Sequence, residues 1–276
     1  MKTILVPTDF SDNASNAINY AVEIAKLAKA KLILFHAFHV PVTNSDMPIV
    51  VIPIEEIEEA NIGRLKKIAK EIQSKNNGSL NIKCICKMGF AVDEISELVT
   101  TKSIDLVVMG IRGSGNLSEI LMGSTTTTLI RKDSCPVLVI NQNVKFKNIK
   151  KIVFACDYHE ISDASILKPL KEFVELFKSH VYVFNVVKEL KTVTYVGKAA
   201  TESLLEHSLE GTDHTFHFAE QEDVIEGINT FAANKKADMI VMIPQKHTLL
   251  KNIFNASNTK KMAFHTHIPL LALHKS

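Results

Sequence analysis

A chain of 276 residues is long enough for two domains of ordinary size. With 46% hydrophobic and 22% charged residues and a formal net charge of +2, it reads as a globular protein, with no basic block or basic–aromatic alternation for nucleic acid and no apolar segment of membrane-spanning length. The N-terminus shows no signal-peptide pattern and four cysteines are too few for a disulfide scaffold, so a cytoplasmic protein with reduced, packed thiols is expected.

Short apolar runs alternate with amphipathic segments along the whole chain, the pattern of a parallel sheet covered on both faces. In the first half, strands are expected over 3–7, 31–38, 79–86, 104–109 and 136–140. Helices are expected over 13–29, with Ser11 or Asp12 as N-cap, and over 54–74, 92–101 and 126–131. The segment 40–53 carries three prolines and reads as a loop.

The second half repeats the first. Lys151-Ile-Val-Phe-Ala-Cys-Asp157 echoes Thr3-Ile-Leu-Val-Pro-Thr-Asp9, and His180-Val-Tyr-Val-Phe-Asn-Val186 echoes Lys31-Leu-Ile-Leu-Phe-His-Ala37. Asp105 pairs with Asp238, Met109 with Met242, Ser124 with Ser257 and Pro136 with Pro269, all at one constant offset. The polar, lysine-rich stretch 141–150 marks the boundary, giving units at 1–143 and 148–276.

Gly110-Ile-Arg-Gly113, followed after nine residues by Gly123-Ser124-Thr125, lies between an apolar strand and a helix. Glycines there let backbone approach a ligand with no Cβ in the way, and a helix N-terminus offers free N–H groups to phosphate. Asp9 ends the first strand, where a carboxylate can accept hydrogen bonds from a ribose or base, or cap the first helix. No G-x-x-x-x-G-K-[ST] occurs, and Gly113-Ser-Gly115 meets Ser118 where a dinucleotide fingerprint needs its third glycine.

Gly110-x2-Gly113-x9-Gly123-Ser124, then Cys135-Pro-Val-Leu-Val139, with the opening Ile4-Leu-Val-Pro-Thr-Asp-Phe-Ser11, resembles the ATP-binding signature of the universal stress protein family. The resemblance covers both halves and implies an α/β fold: two tandem doubly wound five-stranded parallel sheets in 3-2-1-4-5 order, of the adenine-nucleotide α-hydrolase-like kind. It implies ATP as ligand, with Pro7, Thr8 and Asp9 around adenine and ribose and the backbone of Ala37 at the base. Met109 and Gly110 would flank the ribose, and Arg112, Gly113, Gly123, Ser124, Thr125 and Thr126 would surround the phosphates. A Mg2+ bridging the phosphates suits such a ligand, although no carboxylate pair identifies it.

The second half departs from the signature. Ile243, Lys246 and Ala256 stand where the first half has Gly110, Gly113 and Gly123, and Pro244 removes an N–H, while Asp157 and Ser257 remain. Nucleotide binding by the N-terminal half alone is expected; the ammonium of Lys246, which can pair with phosphate, argues the other way. His265-Thr-His267 could put two imidazoles on one side of an extended segment, as a metal site needs, but no Cys or further His has motif spacing nearby, so these, His214, His217 and His274 are expected as surface histidines. His36 is expected to pack rather than to catalyse.

These residues point first to a nucleotide-binding module, for which the family resemblance implies a regulatory, stress-response role. A slow ATPase or phosphoryl-transfer enzyme, or a dimerising scaffold with incidental nucleotide, are the alternatives, and no compelling acid–base pair supports hydrolysis. The fifth strands of the two halves are short, apolar and at sheet edges, so pairing of the halves within one chain is expected, and a further homodimer of chains is an open alternative.

Overall fold

The inner strands of the two repeats are runs of apolar residues because both faces of the sheet are covered there, whereas the outer strands Ile82–Met88 and His214–Glu220 are only partly buried. In β1 (Thr3–Pro7), Ile4 and Val6 point to one helical layer and Leu5 to the other, and all three are buried. The computed structural model describes residues 1–39, 53–111, 124–132, 135–156, 163–187, 203–244 and 268–274. Arg112, Gly113 and Gly123 lie outside the described residues, as do most of the expected 40–53 loop, Asp157, Lys246, Ala256, Ser257, His265 and His267.

The first half continues with α1 (Asp12–Ala28), β2 (Lys31–Phe38), α2 (Ile54–Lys75), β3 (Ile82–Met88), α3 (Ala91–Thr101), β4 (Leu106–Ile111), α4 (Ser124–Lys132) and β5 (Val137–Asn141). The second has β6 (Lys151–Ala155), a 3-10 turn (Ala164–Leu167), α5 (Lys168–Phe177), β7 (His180–Val187), a short helix α6 over 203–208, β8 (His214–Glu220), α7 (Val224–Lys235), β9 (Met239–Met242) and β10 (Leu270–Ala272). Strand order is β3-β2-β1-β4-β5-β10-β9-β6-β7-β8, so each half keeps the 3-2-1-4-5 order and the two merge into one ten-stranded sheet. Pairing is parallel within each half and antiparallel where β5 meets β10, with Leu138 opposite Leu271. Residues of α1, α2, α5 and α6 cover one face and residues of α3, α4 and α7 the other. Both cores run across the seam, Leu138 and Leu271 in one, Val139 and Leu270 in the other.

The constant offset between Asp105 and Asp238 has an atomic reason. Asp105 Oδ2 accepts the N–H groups of Lys2 (2.6 Å) and Thr3 (2.8 Å), tying β1 to the start of β4. Asp238 Oδ2 accepts those of Lys150 (2.8 Å) and Lys151 (2.9 Å), doing the same for β6 and β9. Charge-assisted bonds of this kind hold the entry register of each sheet.

Three expectations shift. The third strand starts at Ile82 rather than 79, because Asn77 (φ 51°) and Gly78 (φ 68°) turn the chain left-handed after α2 and the next residues are spent returning to the sheet. The fourth strand runs on to Ile111, so Gly110 lies inside it, opposite Ile140. The stretch that reads as a polar boundary is a packed strap: Val144 and Ile149 are buried, and the Phe146 ring lies 5.1 Å from Tyr20 and 6.2 Å from Phe177. Asn16 Nδ2 donates to the carbonyls of Asn141 (3.1 Å) and Val144 (3.0 Å) and fixes the strap to α1.

All four cysteines are free thiols. Burial, with the charge of Asp105 adding, pushes the Cys135 thiol up to about 12, and its Sγ–H donates to the Ile104 carbonyl at 3.4 Å, so it behaves as a packed apolar group. Among the described residues no helix is long and apolar enough to cross a membrane.

Candidate functional site

In a doubly wound sheet the chain leaves β1 and β4 toward opposite faces, and their carboxyl ends open a crevice. Here that crevice is a cleft of about 310 Å³ at the ends of β1, β2 and β4, near the small end of the ~300–1,000 Å³ usual for ligand clefts. Pro7, Thr8, Asp9, Ala37, Met109, Gly110, Thr125 and Thr126 all line it. Ser124 opens α4, the helix that brings Thr125 and Thr126 to the cleft. Ser11, Asn13, Phe35, His36, Ala91 and Ile111 also line it and were not expected from the sequence.

The β1–α1 connection is built by local polar contacts. Ser11 is the N-cap of α1, accepting the Ala14 N–H at 3.3 Å, which settles the choice between Ser11 and Asp12. Asp9 Oδ1 accepts the Ser11 N–H at 3.0 Å and Thr8 Oγ1 accepts that of Phe10 at 3.0 Å. Phe10 between them takes φ 64°, the left-handed region that large side chains avoid. The sharp turn leaves Asp9 on the cleft wall. Partial burial pushes its carboxyl up, but the Ser11 bonds and the nearby His36 outweigh this and hold it below the ordinary aspartate value. Asp9 is therefore an anionic hydrogen-bond acceptor at neutral pH.

Gly110 has a structural requirement that the sequence did not show. A Cβ there would overlap the Asn13 carbonyl oxygen, sit 2.6 Å from the Asn13 carbonyl carbon and 3.0 Å from the Ala14 nitrogen. The first turn of α1 lies directly on β4, and only glycine lets it. Across the cleft, α4 has no acidic residue in its first turn and Arg131 and Lys132 in its last, so its N-terminal dipole is not neutralised by its own side chains. Thr126 is 3% exposed and Thr125 is half-buried.

In the second half Ile243, at the position of Gly110, is 2% exposed and packs in the core on the α5 side. The regular helix there starts only at Lys168, after the 3-10 turn, whereas α1 starts at Asp12, directly after the Asp9 turn.

A wider groove of about 600 Å³ between α1, α2 and the strap lies away from the strand ends. Glu23, Lys26, Glu71, Lys75 and Lys145 line it, charges of both signs that select no one ligand class.

Among the described residues, His180, His214 and His217 have polar side-chain partners. His180 Nδ1 pairs with Asp213 at 2.9 Å, His180 Nε2 meets Thr215 Oγ1 at 3.0 Å, and Thr215 Oγ1 meets His217 Nε2 at 3.1 Å. His274, expected at the surface, is buried. Among the described residues no group of three or more His, Cys, Asp or Glu could hold a metal ion. Burial, then the charges of Lys235 and His180, hold the His217 pKa below its usual 6.5. The unfolded chain thus takes up this proton more readily than the folded one, so stability falls as pH drops through and below the ordinary imidazole range. In thermal melts between about pH 8 and 5, wild type should lose more stability than His217→Gln; parallel curves would contradict this.

Comparison with known proteins places the chain. The Universal stress protein family model matches residues 1–141 and again 148–274. The chain is 33% identical over 150 residues to Universal stress protein MJ0531 of Methanocaldococcus jannaschii, covering 52% of this chain and 84% of that protein. It is 28% identical over 154 residues to Universal stress protein MJ0577 of the same organism, covering 51% of this chain and 95% of that one. A crystal structure of a universal stress protein from Archaeoglobus fulgidus DSM 4304 shares the fold over 99% of this chain and 98% of that chain, at a TM-score of 0.76 and 18% identity. Two successive matches to one family model, on two copies of one strand order, make the chain a tandem member of the universal stress protein family.

Proposed function

We propose that the N-terminal half, residues 1–143, binds an adenine nucleotide, ATP in the first instance, and that the protein is a regulatory binding module of stress-response type. The observation that carries this is the cleft at the ends of β1, β2 and β4, which gathers Asp9, Ala37, Met109, Gly110, Thr125 and Thr126 on one wall system. Asp9 suits ribose or base hydroxyl and amine donors. The N-terminus of α4 suits phosphate, which is where the signature glycines Gly113 and Gly123 lead in the sequence. Among the described residues Asp9 is the one carboxylate that lines the cleft, so a Mg2+ would be held chiefly by the phosphates. Asp9, the acid there, is held in its charged form and so favours holding a ligand over donating a proton.

The C-terminal half, 148–276, does not bind nucleotide by this mode in our reading. Buried Ile243 in place of Gly110, and Lys246 and Ala256 in place of the other glycines, support it. The free thiols fit a cytoplasmic setting. The halves act as a pseudo-dimer through β5 and β10, and the outer strands β3 and β8 leave edges for a homodimer of chains.

Calorimetric titration of the full chain with ATP is expected to give one site per chain; two equivalent sites would refute the asymmetry, and none would refute the reading. Asp9→Ala is expected to weaken ATP by about five- to tenfold without changing stoichiometry, the loss of one or two hydrogen bonds. Unchanged affinity would remove Asp9 from the site.

A further inference from the structure

His36 lies two residues before the end of β2, lines the cleft and is held by one ring nitrogen. Its Nδ1 lies 2.8 Å from the Thr8 carbonyl oxygen. A carbonyl only accepts, so Nδ1 carries the proton, and neutral imidazole then presents a bare lone pair at Nε2. Among the described residues Nε2 has no hydrogen-bond partner. The ring cannot easily turn away. Phe10 packs on it at 4.5 Å between centroids, and the guanidinium carbon of Arg64 stands 3.7 Å over the Phe10 ring.

The second half separates what this position needs from what histidine adds. Asn185 occupies the same register on β7, and its Nδ2 donates to the Cys156 carbonyl at 2.9 Å, the residue equivalent to Thr8. The repeated requirement is a donor to the carbonyl that follows the first strand, and asparagine meets it. Histidine in the N-terminal half supplies the donor and, in addition, a second ring nitrogen on a residue that lines the cleft.

We propose that His36 Nε2 is the acceptor that reads a hydrogen-bond donor on the bound nucleotide, either the exocyclic amine of adenine or a sugar hydroxyl, and so determines specificity in the cleft. This rests on the nucleotide reading above. An acceptor fixed in tautomer and orientation favours an amine or hydroxyl opposite it, and a 6-oxo base would set two acceptors against each other.

The test is His36→Asn in the full chain, which keeps the bond to Thr8 in the manner of Asn185 and removes the ring nitrogen. Wild type and variant are titrated with ATP, ITP, 2′-deoxyATP and 3′-deoxyATP. If the amine is read, wild type should prefer ATP to ITP by about tenfold, and the variant should lose about that much ATP affinity and most of the preference, at unchanged melting temperature. If a sugar hydroxyl is read, a deoxy analogue takes the place of ITP in that pattern. A variant that binds all these nucleotides as wild type does would reduce His36 to a structural role while leaving the cleft's function standing. A wild type that binds none would overturn the nucleotide reading itself. Independently of any variant, the 15N resonance of His36 Nε2 in wild type should move on adding ATP toward that of a hydrogen-bonded acceptor, and a stationary resonance at saturating ATP would overturn the inference.

Discussion

Alanine at position 110 is expected to destabilise the N-terminal half, not merely to close its cleft. The new Cβ would overlap the Asn13 carbonyl and crowd the Ala14 nitrogen, both main-chain groups in the first turn of α1. No side chain can swing aside to relieve this, so either α1 lifts from β4 or β4 moves in the sheet. Alanines 17 and 21 of α1 are fully buried against that sheet, so lifting the helix also opens the core. Overpacking typically costs about 1–3 kcal/mol, and a clash with backbone belongs at or above the upper end. In urea titrations Gly110→Ala should lower the midpoint at nearly unchanged slope, and Gly110→Val should lower it further. Nucleotide binding should fall with it, because Asn13 and Asp9 ride on the same connection. A variant with wild-type stability that has only lost the ligand would show that this glycine serves ligand approach alone.

A charge in the seam between the halves is expected to cost still more. Leu138 and Leu271 face each other across the antiparallel β5–β10 pair, and neither has any exposed surface. An aspartate at 138 must either hold an unpaired carboxylate in that interior or take up a proton at a strongly raised pKa. Several kcal/mol are at stake against the ~5–15 kcal/mol that a folded protein has in total. Because both cores pass through the seam, wild type should melt in one cooperative transition that spans the two halves. Leu138→Asp should split that transition or abolish folding, and Leu138→Ala should give a milder loss of about 2–5 kcal/mol. Calorimetry distinguishes these outcomes, and an unchanged single transition in the aspartate variant would show that the seam does not couple the halves.

The architecture was legible in the sequence because the strands are buried on both faces, which leaves uninterrupted apolar runs such as Thr3–Pro7 and Val137–Asn141. The internal repeat was legible because its matched residues do matched work, as Asp105 and Asp238 do at the strand entries. The site was legible in outline, since Asp9, Gly110 and Thr126 fall at strand and helix ends whose position follows from topology. What escaped was non-local. The reason for Gly110 lies in the main chain of Asn13, nearly a hundred residues earlier, and no local pattern announces it. His36 reads locally as one more residue of a buried strand, and only the placement of Thr8 beside it fixes its tautomer. The strap between the halves reads by composition as a polar boundary, yet Val144, Phe146 and Ile149 pack into the core that α1 and α5 share.

Joining two such sheets edge to edge in a single polypeptide has a consequence for scarcity. Two separate subunits that met along their fifth strands would dissociate on dilution, whereas tethered ones face each other at an effective concentration near the millimolar range however few molecules a cell holds. Covalent linkage also frees one lobe to drift in sequence without spoiling its mate. Ile243 and Gly110 are then two answers to one geometric question, kept side by side at a fixed one-to-one ratio. On the proposed one-site reading, such a molecule meets a single ligand-binding event with an asymmetry already built into its two lobes.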